Sequence, residues 1–68
     1  MYKLNQNKLN GKIIERGMTK EGLALAIKVD RATLYRRIKY NTLRLVDVQN
    51  ICRVLCLTNE EILDIFFS

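Results

Sequence analysis

The sequence has no histidine, no proline and only two cysteines. Without histidine it lacks the side chain that most often serves as general base or metal ligand near neutral pH. Cys52 and Cys56 are too few for a disulfide scaffold, and with no further soft ligand they fall short of a metal site. Their spacing of four in an apolar stretch reads as two small buried hydrophobes on one helix face. No proline, low-complexity tract or repeat marks a linker, so residues 1–68 are expected to form a single domain. No apolar run approaches the roughly 18 to 20 residues that span a bilayer. The opening Met1-Tyr2-Lys3-Leu4-Asn5-Gln6-Asn7 has nothing of a signal peptide, so an intracellular, cytoplasmic location is expected. Folding so short a chain buries only roughly 62% of its unfolded surface, which leaves no room for a deep catalytic cleft. No enzymatic activity, cofactor or small-molecule ligand is expected.

What the chain does have is basic charge, unevenly placed. The net charge is +5 and the isoelectric point near 9.6. Residues 1–40 hold ten basic side chains against three acidic ones, a net of +7, while residues 41–68 hold two against four, a net of −2. A basic half of this kind is the footprint of a polyanion binder, either nucleic acid or an anionic membrane surface.

Apolar periodicity predicts five short helices and no strands, since no segment alternates with period two. The first runs from about Asn5 to Arg16, with Leu9 and Ile13, together with Leu4 and Ile14, on one side and Gly17 as its C-terminal cap. Thr19 caps a second of about eight residues carrying Leu23, Ala24 and Ile27. Gly22 within it points to close approach by another helix. Asp30 opens a third that ends near Lys39 or Tyr40. At 100° per residue Leu34 and Ile38 share one side of it, while Ala32, Tyr35, Arg36 and Lys39 occupy an opposite arc of about 100°. A fourth, from Arg44 or Leu45 to Cys56, repeats Leu45, Val48, Ile51, Cys52 and Leu55. Thr58 and Glu61 form the capping box of a fifth that carries Ile62, Ile65 and Phe66.

Two short helices joined by a tight turn, the second apolar inside and cationic outside, have the layout of a helix-turn-helix. Leu23, Ile27, Val29, Leu34 and Ile38 are apolar where the pair must interlock, and Ala24 is small where it crosses. Arg31, Arg36 and Lys39 are long enough to reach base edges and phosphates in a major groove about 12 Å wide.

The string from Thr19 to Ile38, TKEGLALAIKVDRATLYRRI, resembles the Cro and lambda-repressor family of helix-turn-helix DNA-binding domains. The likeness continues through Val48-Gln49-Asn50-Ile51-Cys52-Arg53-Val54-Leu55 and Thr58-Asn59-Glu60-Glu61-Ile62, so it covers nearly the whole chain. It implies an all-α, five-helix domain that reads a double-stranded DNA operator, often as a homodimer, with the third helix in the major groove. The chain is similar to small regulators of phages and mobile elements, which implies a bacterial or phage-encoded, nucleoid-associated protein and a repressor role. By that resemblance, Arg31, Ala32, Tyr35 and Arg36 would touch bases, and Lys20, Lys28, Thr33, Lys39, Tyr40 and Asn41 would touch phosphates. Three positions depart from the family pattern. Lys20 stands where many members have a glutamine, and lysine contacts phosphate as a point charge with less orientation. Lys28 replaces the usual glycine of the turn, where a positive φ would cost about 1 kcal/mol. Asn41 replaces a glycine that commonly ends the reading helix, and tolerates left-handed geometry better than most residues.

Other residues have plainer readings. Arg37 lies nearer the core arc, suited to an acidic neighbour or the backbone. Tyr35 either stacks, bonds a phosphate or covers the apolar seam. Lys3, Lys8 and Lys12 read as solvent charges. Phe66 and Phe67 cannot both face inward on one short helix, so the pair are candidates for a subunit contact. The rival to a DNA reader is a protein-interaction module, an antirepressor or adaptor that engages partner helices through Ile62, Ile65, Phe66 and Phe67. Membrane attachment is disfavoured because the basic face lacks an adjoining apolar one. Single-strand binding is disfavoured because only Tyr35 and Tyr40 could stack on bases.

Overall fold

The computed structural model describes residues 3–67, which form α1 (Gln6–Glu15), α2 (Lys20–Ala26), α3 (Arg31–Lys39), α4 (Leu45–Val54) and α5 (Asn59–Phe66). The protein is all-α, with no strand among the described residues. Short polar residues start four of the helices by accepting a backbone N–H that the first turn leaves unpaired. Asn5 accepts from Lys8 at 3.1 Å, Thr19 from Gly22 at 3.0 Å, and Asp30 from Ala32 at 3.1 Å. Thr58 accepts from the Glu61 N–H at 3.1 Å while the Glu61 carboxylate accepts from the Thr58 N–H at 2.9 Å, which completes the expected capping box. At α4 the N-cap is Arg44, which has no acceptor to offer; Asp47 Oδ2 instead accepts the Arg44 backbone N–H at 3.0 Å.

The first four helices end alike. Gly17, Lys28, Asn41 and Cys56 have φ of 71°, 60°, 55° and 52°. In each case the next residue donates its N–H back across the last turn: Met18 to Ile13, Val29 to Ala24, Thr42 to Arg37 and Leu57 to Cys52, at 2.8 to 3.0 Å. This is the Schellman closure, in which a left-handed residue satisfies carbonyls that a helix end leaves open. Cys56 is therefore outside the helix and exposed, not on the apolar face with Cys52 as its spacing predicts. A four-residue interval defines one face only while the helix continues, and α4 stops at Val54.

The core is built from Leu9, Ile13, Leu23, Ala24, Ile27, Leu34, Ile38, Leu43, Val48, Ile51, Leu55, Ile65 and Phe66. Leu43, in the connection before α4, is the member that helical periodicity does not find. Leu45 is 68% exposed, although its spacing fits. The buried stripe of Val48, Ile51 and Leu55 leaves Leu45 about 80° to one side, beyond the packed surface. Ile14 also faces outward. A Cβ at Gly22 would meet only Thr19 Oγ1, at 3.3 Å, so this glycine gives room to its own helix cap, not to a crossing helix.

The two ends of the described residues meet. Lys3 and Asn5 donate to the carbonyls of Phe66 and Ile65 at 2.6 and 2.7 Å, and an isolated bridge pairs Lys3 with Phe67, so the extended N-terminal segment satisfies the end of α5. Lys12 is not a solvent charge, and Lys8, though exposed, is paired. Lys8 pairs with Asp64 at 2.6 Å, and half-buried Lys12 bonds Glu61 as well as Glu15, so both clasp α1 to α5. Arg16 adds a hydrogen bond from Nε to the Leu55 carbonyl at 2.8 Å, which closes the end of α4. Burial of Phe66 completes this base, so of the two phenylalanines only Phe67, 54% exposed, offers surface for a subunit contact.

Candidate nucleic-acid interface

α2 and α3 pack closely against one another, and the four residues from Ile27 to Asp30 turn the chain between them. Lys28 is the left-handed residue that makes this turn, and Val29 tucks partly into the core behind it. Asp30 then starts α3. Leu34 and Ile38 are buried, whereas Arg31, Ala32, Tyr35, Arg36 and Lys39 are exposed. The apolar stripe thus fixes which side of α3 faces outward.

Both flanks of α3 are held by its neighbours. On the α2 side, Arg31 Nη1 meets Glu21 Oε1 at 2.8 Å. The Lys20 ammonium lies 5.5 Å from the centre of the Tyr35 ring, within cation–π range. Tyr35 thereby supplies the orientation that a lysine in this place would otherwise lack. On the other side, Arg37 Nη1 donates to Asp47 Oδ2 at 3.2 Å, the acidic partner its place on the helix suggests. At the far end of α3, Lys39 lies over the Tyr40 ring at 5.5 Å. The Gln6 amide donates to the Lys39 carbonyl at 3.2 Å, and the Leu4 N–H donates to Asn41 Oδ1 at 3.4 Å, so the start of α1 steadies this end.

Asp47 is the buried charge of the site. Burial alone would push its carboxyl up, yet the hydrogen bonds from the Arg44 side chain and backbone, with the Arg44 and Arg37 charges, hold it below its ordinary value. Arg36 and Lys28 are exposed and form no ion pair among the described residues, which leaves their charge available to a ligand.

The structure therefore gathers Arg31, Ala32, Tyr35, Arg36 and Lys39 on one face, with Lys20 beside Tyr35 and with Tyr40 and Asn41 at the end of the same helix. Thr33 is half-buried on the flank away from α2. Three roles were not visible in the residue pattern: Glu21 as the partner of Arg31, and Arg44 and Asp47 as the frame that fixes Arg37. The opposite charges at Glu21 and Arg31, ten residues apart like Arg37 and Asp47, were the available signal.

The family model described as the Cro/C1-type HTH DNA-binding domain matches residues 8–68. No curated protein and no solved structure matches the chain.

Proposed function

The chain belongs to the Cro/C1-type helix-turn-helix DNA-binding family, and from that premise we propose that residues 1–68 act as one domain that represses transcription by laying α3 in the major groove of an operator. The observation that carries this reading is the division of α3. Its apolar side is locked into the core by Leu34 and Ile38, and its opposite side exposes guanidinium, phenol, methyl and ammonium groups together.

In this reading Arg31 and Arg36 discriminate bases, since an arginine fork matches the two acceptors on guanine and each good bidentate contact is worth about 1 to 3 kcal/mol. Ala32 and Tyr35 lie against the same base edges. Lys20, Lys28, Thr33, Lys39, Tyr40 and Asn41 hold phosphates and supply most of the affinity through release of counterions. The role is one of binding, with occupancy of the operator as its effect.

Exposed Leu63 on α5 and Phe67 just after it, beside Glu60 and Asp64, favour a second copy as the subunit partner. A homodimer would place two reading helices on half-sites about 34 Å apart on one face of the duplex. Selection of bound sequences from randomised duplexes tests the whole proposal. A recurring palindromic site supports a sequence-reading dimer, a short unpaired site supports a reading monomer, and recovery of unselected sequence contradicts the proposal.

A further inference from the structure

The surface assigned to DNA contains one acidic side chain that such a surface would be expected to avoid. Glu21 stands in the first turn of α2, next to Lys20, and a bare carboxylate facing phosphates is repelled by them. Here it is not bare. Its Oε1 accepts from Arg31 Nη1 at 2.8 Å, and both side chains are about 60% exposed, at 59% and 61%.

We propose that Glu21 is a positioning residue for base reading, fixing the direction in which Arg31 offers its guanidinium. The inference rests on the reading that α3 faces the major groove. Arg31 is the first residue of α3, at the end of a flexible stem. A guanidinium has five N–H donors in a rigid fork, so a carboxylate on one edge leaves the others for an acceptor pair on a base. Ordering the stem before DNA arrives removes part of the entropy that docking would otherwise cost.

A second contact makes this a property of the helix pair. Lys20 and Glu21 are adjacent on α2, Tyr35 and Arg31 are one turn apart on α3, and Lys20 lies over Tyr35 while Glu21 holds Arg31. Two successive rungs thus join the helices along the exposed seam. An ion pair this open to water adds little to stability, so Glu21 can be replaced without loss of the fold. Against DNA, with water displaced, the same pair is screened less and holds more firmly.

The test uses the full chain, the best-bound duplex from a randomised pool, and that duplex with each base pair changed in turn. Glu21→Ala should lower discrimination at one base position by about fivefold to tenfold, with thermal stability unchanged and affinity for mixed-sequence duplex raised by loss of a negative charge. Glu21→Gln, which keeps an acceptor, should restore part of the preference. In an Arg31→Ala background, Glu21→Ala should change preference no further. Uniform scaling of all duplexes by Glu21→Ala, or an equal loss of preference with and without Arg31, would overturn the inference. A wild-type protein that binds every duplex alike would instead overturn the proposed function beneath it.

Discussion

Arg37 and Asp47 meet at 3.2 Å where α3 passes the start of α4, and the aspartate is only 1% exposed. The same carboxylate accepts the Arg44 backbone N–H and two bonds from the Arg44 side chain, so it caps α4 and anchors α3 at once. Asp47→Ala should therefore destabilise the fold by about 2 to 3 kcal/mol, as a buried partner is removed and a helix cap with it. Asp47→Asn, which keeps one acceptor, should cost less. Urea unfolding of both variants measures the difference; equal midpoints for Asp47→Ala and the parent would contradict the anchoring role.

Stability in acid should depend on the clasp between α1 and α5. The hydrogen bond from Lys12, followed by that from the Thr58 N–H, pulls the Glu61 carboxyl from 4.5 down to about 2. The folded value lies below the unfolded one, so the contribution is fully present above about pH 4.5 and is lost as pH falls toward 2. The Glu61 hydrogen bond raises Lys12 in turn, so the pair keeps its charges up to alkaline pH. Glu61→Gln retains an acceptor for Thr58 but no charge. It should melt below the parent at pH 7, converge with it near pH 2, and show the shallower dependence between; parallel curves would rule out the charged clasp.

Two left-handed residues carry side chains where glycine fits better. Lys28→Gly and Cys56→Gly should each stabilise the protein by about 0.5 to 1 kcal/mol, relief of left-handed strain outweighing the added freedom of the unfolded chain. For a domain of this size that is a rise in Tm of several degrees per kcal/mol. A lowered Tm would show that these turns are not strained.

Tyr35 can be assigned by paired substitutions. If its ring both holds Lys20 and lies against base edges, Tyr35→Phe should bind DNA like the parent by fluorescence anisotropy, whereas Tyr35→Ala should weaken binding to every duplex and relax preference at one base position. A loss of base preference in Tyr35→Phe would give the hydroxyl, not the ring, the working role.

Base reading and phosphate anchoring should separate along α3. Arg36→Ala should relax preference at one base position, while Lys39→Ala should weaken every duplex and make the salt dependence shallower by about one unit. Fluorescence anisotropy at several salt concentrations distinguishes them, and an Arg36→Ala protein with unchanged preference would move the reading role elsewhere.

Much of this architecture was legible in the residues because its causes are local. Thr19, Asp30 and Thr58 cap helices within three residues of themselves, and Gly17 and Asn41 close them. Leu34 against Ile38 was enough to orient α3. What periodicity could not give depends on where helices lie in space. Leu45 keeps the spacing but falls outside the packed surface, and Cys56 lies beyond a helix end that no glycine marks. Lys12 finds Glu61 from the far end of the chain, and Gly22 answers to the cap beside it. The basic face was legible as composition, but its ordering by Glu21, Lys20 and Asp47 emerged only once α2, α3 and α4 were placed together.

The most direct measurement is an NMR titration of the labelled protein with its selected duplex, following backbone amides. The largest shifts should fall on α3 between Arg31 and Lys39 and on the Lys28 turn, while α5 amides from Asn59 to Ile62 stay in place. Shifts concentrated on α5, with Ala32 and Arg36 unmoved, would contradict the placement of α3 in the major groove.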